Sequence, residues 1–171
     1  NMTASHVSGD RPRDRRRRAR IEAILDRSMD ILLAQGAEAL TMRALADSLD
    51  LTAGALYRYF PSKGAILASL GHRALSRISD ATQAEESRTR TALGSDTSHE
   101  ASLQLVIARA WAYWQLGRAE PGTWRLINLL LVDPRMLIPE GDERADFMGT
   151  VFSQITAMAS LLEEAAGAGA L

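Results

Sequence analysis

The sequence predicts an all-α protein, and three observations carry that prediction. The apolar content, 46% of the chain, is mostly Leu and Ala, with few Val-rich or Thr-rich alternating runs. Apolar residues recur at three- and four-residue spacing over long stretches, which places them on one side of a helix. Capping residues, Gly and Pro fall between those stretches rather than within them. At 171 residues the chain is long enough for one domain, or two small ones, with a real core.

The first helix is expected over Arg15–Gln35, with Ile21, Ile24, Leu25, Ser28, Met29, Leu32 and Leu33 as its stripe and Gly36 as its stop. Thr41 then caps a short helix in which Leu45, Ala46 and Leu49 share a face. Asp50-Leu51 makes a turn, and Thr52 caps a second short helix over Ala53–Phe60. This helix turns Leu56 inward and Ala53, Ala55, Arg58 and Tyr59 outward. Pro61 ends it, because its ring disfavours helical geometry in Phe60. Two short helices joined by such a turn form a helix-turn-helix, whose second helix fits a DNA major groove.

Ser62 starts a longer helix to about Asp80, with Ile66, Leu67, Leu70, Ala74 and Ile78 inward. Residues 81–99 lose the period and gain Ser, Thr and charge, which reads as a frayed helix end and a loop. Glu100–Gly117 is apolar over most of its circumference, as expected of a central helix. Thr123–Val132 and Glu143–Ala166 are the last two helices, separated by Asp133-Pro134 and a turn at Pro139-Glu140-Gly141. His72 and His99 have no metal-ligand spacing around them and read as surface residues.

Charge is unevenly distributed. Residues 1–75 hold twelve Lys/Arg against eight Asp/Glu, and residues 76–171 hold eight against thirteen. A basic N-terminal part on an acidic remainder suggests that only the first part meets a polyanion. The run RDRRRRAR, Arg13–Arg20, reads as an arm that contacts phosphates or enters a narrow minor groove. The chain contains no cysteine, which excludes disulfides, thiol catalysis and Cys-based zinc sites. It has no apolar run of membrane-spanning length and no hydrophobic signal core, so no membrane contact and a cytoplasmic location are expected. Nothing in it resembles a nucleophile–base pattern, a Gly-rich phosphate loop or a His-carboxylate cluster, so no enzyme activity, metal or cofactor is expected.

The lead-in RARIEAILDRSMDILLAQGAEALTMRALADSLDLT and the block LYRYFPSKGAILASL resemble the TetR family of bacterial transcriptional regulators, over roughly residues 20–70. The resemblance implies a three-helix DNA-binding domain, a connecting fourth helix, and a helical-bundle domain for ligand binding and dimerisation. The corresponding expectation is a disordered tail over 1–14, the helix-turn-helix domain over 15–61 and the effector domain over 62–171. Family members commonly continue past a segment like LLEEAAGAGAL into further dimerisation helices, so a chain truncated there is expected.

The function implied is a homodimeric, ligand-responsive repressor on a palindromic operator in double-stranded DNA. By resemblance, Thr41 and Arg43 contact DNA from the second helix. Thr52, Ala53, Ala55, Tyr57, Arg58 and Tyr59 are presented to the groove and its flanking phosphates, and Lys63 holds a phosphate. Arg58 is the expected base reader, since guanidinium pairs bidentately with guanine. Asp50 stands where the family generally has Gly, and Ala55 where a hydroxyl residue is common.

In the second domain Trp111, Trp114, Trp124, Phe147, Met148, Phe152 and Met158, with Asn128, are candidates to line a pocket for an apolar or aromatic effector. Arg109, Gln115 and Arg125 read as surface or interface groups. Two alternatives stand beside this reading: an all-helical interaction module, and a DNA-binding regulator that senses no small molecule.

Overall fold

The computed structural model describes residues 11–132 and 142–167, apart from the side chains of His99, Leu130, Leu131, Val132 and Glu143. Among the described residues every regular element is a helix: α1 Pro12–Gln35, α2 Met42–Ser48, α3 Ala53–Tyr57, α4 Lys63–Leu93, α5 His99–Ala119, α6 Pro121–Val132 and α7 Asp142–Gly167. None is long and apolar enough to cross a membrane. The chain divides into two compact units at Ser62/Lys63.

The first unit is α1–α3. Pro12 sits at the start of α1, where a missing amide hydrogen costs nothing. The helix buries Ile24, Leu25, Ile31 and Leu32 on one face, together with Ser28, whose hydroxyl donates to the Ile24 carbonyl at 2.7 Å. Gly36 ends it at φ +86°, and its N–H donates to the Leu32 carbonyl at 3.0 Å. Leu40, Leu45, Ala46, Leu56 and Phe60 complete the core.

Both short helices are capped as their residues dictate. Thr41 Oγ1 accepts from the Ala44 amide at 3.1 Å, and Thr52 Oγ1 from the Ala55 amide at 3.2 Å. Between them Asp50 adopts φ +54°. The Leu51 amide bonds back to the Ala46 carbonyl at 2.9 Å and the Asp50 amide to the Asp47 carbonyl at 3.3 Å. That pair of bonds is a Schellman closure, in which a left-handed residue satisfies the last helical carbonyls. Glycine would suit position 50 best, and Asp is among the few other residues that tolerate it.

In the second unit α4 packs against α5, α6 and α7, and α5 packs against α6 and α7. Its core holds Leu70, Ala74, Leu75 and Ile78 of α4, Ala101, Leu105, Ala108 and Ala112 of α5, Leu126 and Ile127 of α6, and Phe147, Val151, Leu161 and Ala165 of α7. Ser98 caps α5 through the Ala101 amide at 3.2 Å.

Several expectations need correction. The helix expected to end near Asp80 runs on to Leu93, through the segment read as a loop. Its hydroxyls bond to carbonyls one turn back, Thr82 to Ile78 at 2.8 Å and Thr89 to Glu85 at 3.0 Å, and Arg90 pairs with Glu86 at 3.1 Å. Polar composition there marks a solvated helix, supported by pairs at i, i+4. The basic run Arg13–Arg20 forms the exposed first turns of α1, which begins three residues earlier than expected, at Pro12. Of the segment expected to be a disordered tail, residues 11–14 belong to this helix start, and residues 1–10 lie outside the described residues.

α5 is not wrapped on all sides within the chain. Ile107, Trp111 and Trp114 are 64%, 51% and 49% exposed along one face. His72 is half-buried rather than a surface group: its ring meets Phe147 edge-on at 6.1 Å, and Nδ1 lies 3.3 Å from Thr150 Oγ1. The expected breaks at Asp133-Pro134 and Pro139-Gly141 and the final residues 168–171 lie outside the described residues.

Candidate functional site

In the first unit the side chains expected to meet DNA fall on α2, α3 and the turn that follows. Thr41 and Arg43 are exposed at the start of α2. Thr52, Ala53, Tyr57 and Arg58 are exposed along α3, while Ala55 and Tyr59 are half-buried. Both threonine oxygens accept a capping bond, which leaves each hydroxyl hydrogen free to donate to a phosphate. Phe60 differs from its neighbours: it is buried and anchors the end of the motif in the core. Lys63 is the first residue of α4, half-buried, and belongs to the second unit.

Two features of this surface were missed in the sequence. Gly54 is exposed, and a β-carbon there would meet nothing within 4 Å. It therefore answers to no packing need within the protein, yet it stands in a helix, where Gly is the poorest residue after Pro. A residue without a side chain at that point lets another molecule approach the backbone closely.

The second feature is an open groove in which Arg58 and Tyr59 share walls with Arg11, Arg13, Arg16, Arg17 and Arg20 of α1. Among the described residues six guanidinium groups and one carboxylate, Asp14, line it. The signal lay in the spacing: 13, 16, 17 and 20 fall on one face once the segment is helical. A basic groove beside the exposed short helix matches the electrostatics of a polyanion.

The second unit contains a cavity of about 380 Å³ among α4, α5, α6 and α7. Leu75 and Ile78 of α4, Ala110 of α5, Ile127 of α6, and Val151, Ile155 and Met158 of α7 form its apolar wall. Its polar groups are Thr82, Arg109, Tyr113 and Gln154. Arg109 is only 5% exposed. It donates to Glu86 Oε2 at 3.2 Å and to Gln154 Oε1 at 3.4 Å. It was read as a surface or interface group, and burial among three helices rules out the surface part of that reading. Burial also pushes the Tyr113 hydroxyl pKa up.

Of the apolar candidates only Met158 lines this cavity. Trp111 and Trp114 stack on each other at 4.7 Å on the outer face of α5, where Arg118 lies 4.9 Å over Trp114. Phe152 is 60% exposed, and Phe147 is buried against His72. Met148 is half-buried outside the cavity, and exposed Asn128 donates to the Trp124 carbonyl at 2.8 Å. Trp124 stands one layer back, its ring edge-to-face with Tyr113 at 4.6 Å. Size and aromaticity selected these residues, whereas angular position on the helix decides which side chains face inward. Among the described residues no group of His, Cys, Asp or Glu could hold a metal ion.

Comparison with known proteins bears on the first unit most directly. Residues 24–70 match the family model of bacterial regulatory proteins of the tetR family. Over 77 residues the chain is 44% identical to the HTH-type transcriptional repressor KstR of Mycobacterium tuberculosis, covering 45% of this chain and 33% of that protein. It is 40% identical over 72 residues to KstR of Rhodococcus jostii, covering 42% of this chain and 32% of that protein. The match thus spans about a third of the length of these curated relatives. Among solved structures, the TetR family transcriptional regulator PfmR of Thermus thermophilus superposes with a TM-score of 0.61. It is 21% identical, over 86% of this chain and 72% of that one, a likeness of fold.

Proposed function

We propose that this chain is a member of the tetR family of bacterial regulatory proteins, whose model its residues 24–70 match, and that it is a cytoplasmic transcriptional repressor acting as a homodimer on a palindromic operator. The observation that carries the reading is the groove that joins Arg58 and Tyr59 to the arginine face of α1. Arg58 reads a guanine edge in the major groove, and Ala53 and Gly54 let the α3 backbone approach the bases. Thr41, Arg43, Thr52, Tyr57, Tyr59 and the α1 arginines set register and affinity on the phosphates. Lys63 adds a further phosphate contact at the start of α4. Ala55 presents a methyl group suited to a thymine methyl.

The relatives named as repressors support the sign of regulation. The cavity in the second unit supports release by a small, largely apolar effector, and favours that reading over a regulator that senses nothing. Release then follows if the effector prefers the conformation that fits the operator less well.

Footprinting without effector tests the proposal by its expected symmetrical site of two half-sites. Arg58→Ala should weaken operator binding by roughly 1–3 kcal/mol and relax preference at one base pair of each half-site. Unchanged affinity and unchanged sequence preference in that variant would remove Arg58 as the reader.

A further inference from the structure

Resting on the effector reading above, we infer that the second-unit cavity selects a monocarboxylate with a small apolar body, and that Arg109 is its charge-recognising residue. At about 380 Å³ the cavity falls in the size range of small-ligand sites.

The polarity follows from what its polar end lacks. Arg90 and Arg109 both bond to Glu86, through Oε1 at 3.1 Å and Oε2 at 3.2 Å. One carboxylate therefore serves two guanidinium groups. The second carboxylate of the cluster, Glu164, is 54% exposed and reaches Arg90 alone, at 3.3 Å. The Arg109 side chain is 6% exposed, a guanidinium at the edge of an apolar space whose one carboxylate partner is shared with Arg90.

Arg109 uses two of its five N–H donors, on Glu86 and Gln154. Tyr113 adds a hydroxyl, and among the described residues no Asp or Glu lines the cavity. A carboxylate finds a guanidinium and a hydroxyl there, whereas a cationic ligand meets a fixed positive charge. A bound carboxylate also competes with Glu86 for Arg109. It therefore loosens a tie between α5 and the distal part of α4, the helix that follows directly on the DNA-reading unit.

Isothermal titration calorimetry of the full chain with decanoate and with methyl decanoate tests this. Decanoate should bind at least about tenfold more tightly than the ester, and Arg109→Gln should abolish that difference while leaving ester binding in place. Glu86→Gln, which removes the competing carboxylate, should tighten decanoate binding several-fold and leave the ester unchanged. This second variant keeps the question open to test if Arg109→Gln does not fold. Equal binding of acid and ester by the unmodified protein, or a Glu86→Gln variant that binds decanoate no better, overturns the assignment of Arg109 and leaves the cavity as an apolar site. Failure of both compounds to bind overturns the effector reading together with it.

Discussion

Arg77 of α4 holds Glu120, the residue that joins α5 to α6: its Nε donates to Glu120 Oε1 at 3.0 Å, and Thr123 Oγ1 donates to Oε2 at 3.0 Å. Glu120 also closes α5 through its own amide, 2.8 Å from the Leu116 carbonyl. The Arg77 hydrogen bond holds the Glu120 carboxyl below its ordinary range, against a smaller opposing effect of desolvation. A carboxyl depressed in the folded state stabilises above its unfolded pKa, and that contribution is lost as pH falls through the folded value. Glu120→Gln should therefore lower the melting temperature near neutral pH. The gap from the unmodified protein should close as pH falls below the usual carboxylate range. A gap that persists undiminished in acid would place the effect in the helix junction rather than in the charge pair.

Gly54 gives an opposed pair of outcomes. Gly54→Ala should raise stability by up to ~1 kcal/mol in urea unfolding, because Ala is the better helix residue and the new methyl touches nothing. Operator affinity should fall in the same variant if DNA approaches the α3 backbone there as proposed, since the methyl would occupy that space. If affinity were unaltered, the glycine would have no part in the interface.

The turn inside the motif separates backbone from side-chain effects. Asp50 stands at φ +54°, so Asp50→Val should cost roughly 1–2 kcal/mol, as expected for a bulky residue forced into the left-handed region. Asp50→Gly should be near neutral or stabilising, because eased strain is offset by a more flexible unfolded chain. Chemical denaturation of both variants gives the comparison.

The turn chemistry was legible because each requirement is local: Thr41, Thr52, Asp50 and Gly36 act within four residues of themselves. The same holds for Leu45, Ala46 and Leu56, whose spacing announced the core of the first unit. The far half of α4 was hidden by composition, although Glu86 and Arg90 stood at the helical spacing that supports it. The cavity was illegible for another reason. On α5 the large rings at 111 and 114 turn outward, while Ala108, Arg109 and Ala112 turn inward, and only the packing of α4 and α7 decides between the two faces.

The arginine face of α1 makes a quantitative prediction about ionic strength. If Arg16 and Arg17 each neutralise one phosphate, the Arg16→Gln, Arg17→Gln double variant should lose about 1.8 from the slope of log K against log salt concentration. Sequence preference should stay as it was, because phosphates carry no base information. Fluorescence anisotropy of a labelled operator across a salt series measures both.

The placing of the three tryptophans equips the protein with a natural optical probe. Trp111 and Trp114 are half in solvent, whereas Trp124 lies against Tyr113, which forms part of the cavity wall. A soluble quencher should therefore dim the first two more than the third, enriching the residual emission in the signal from beside the cavity. Changes in that shielded emission would follow occupancy of the cavity without any label, and replacing Trp111 and Trp114 by Phe would isolate the signal.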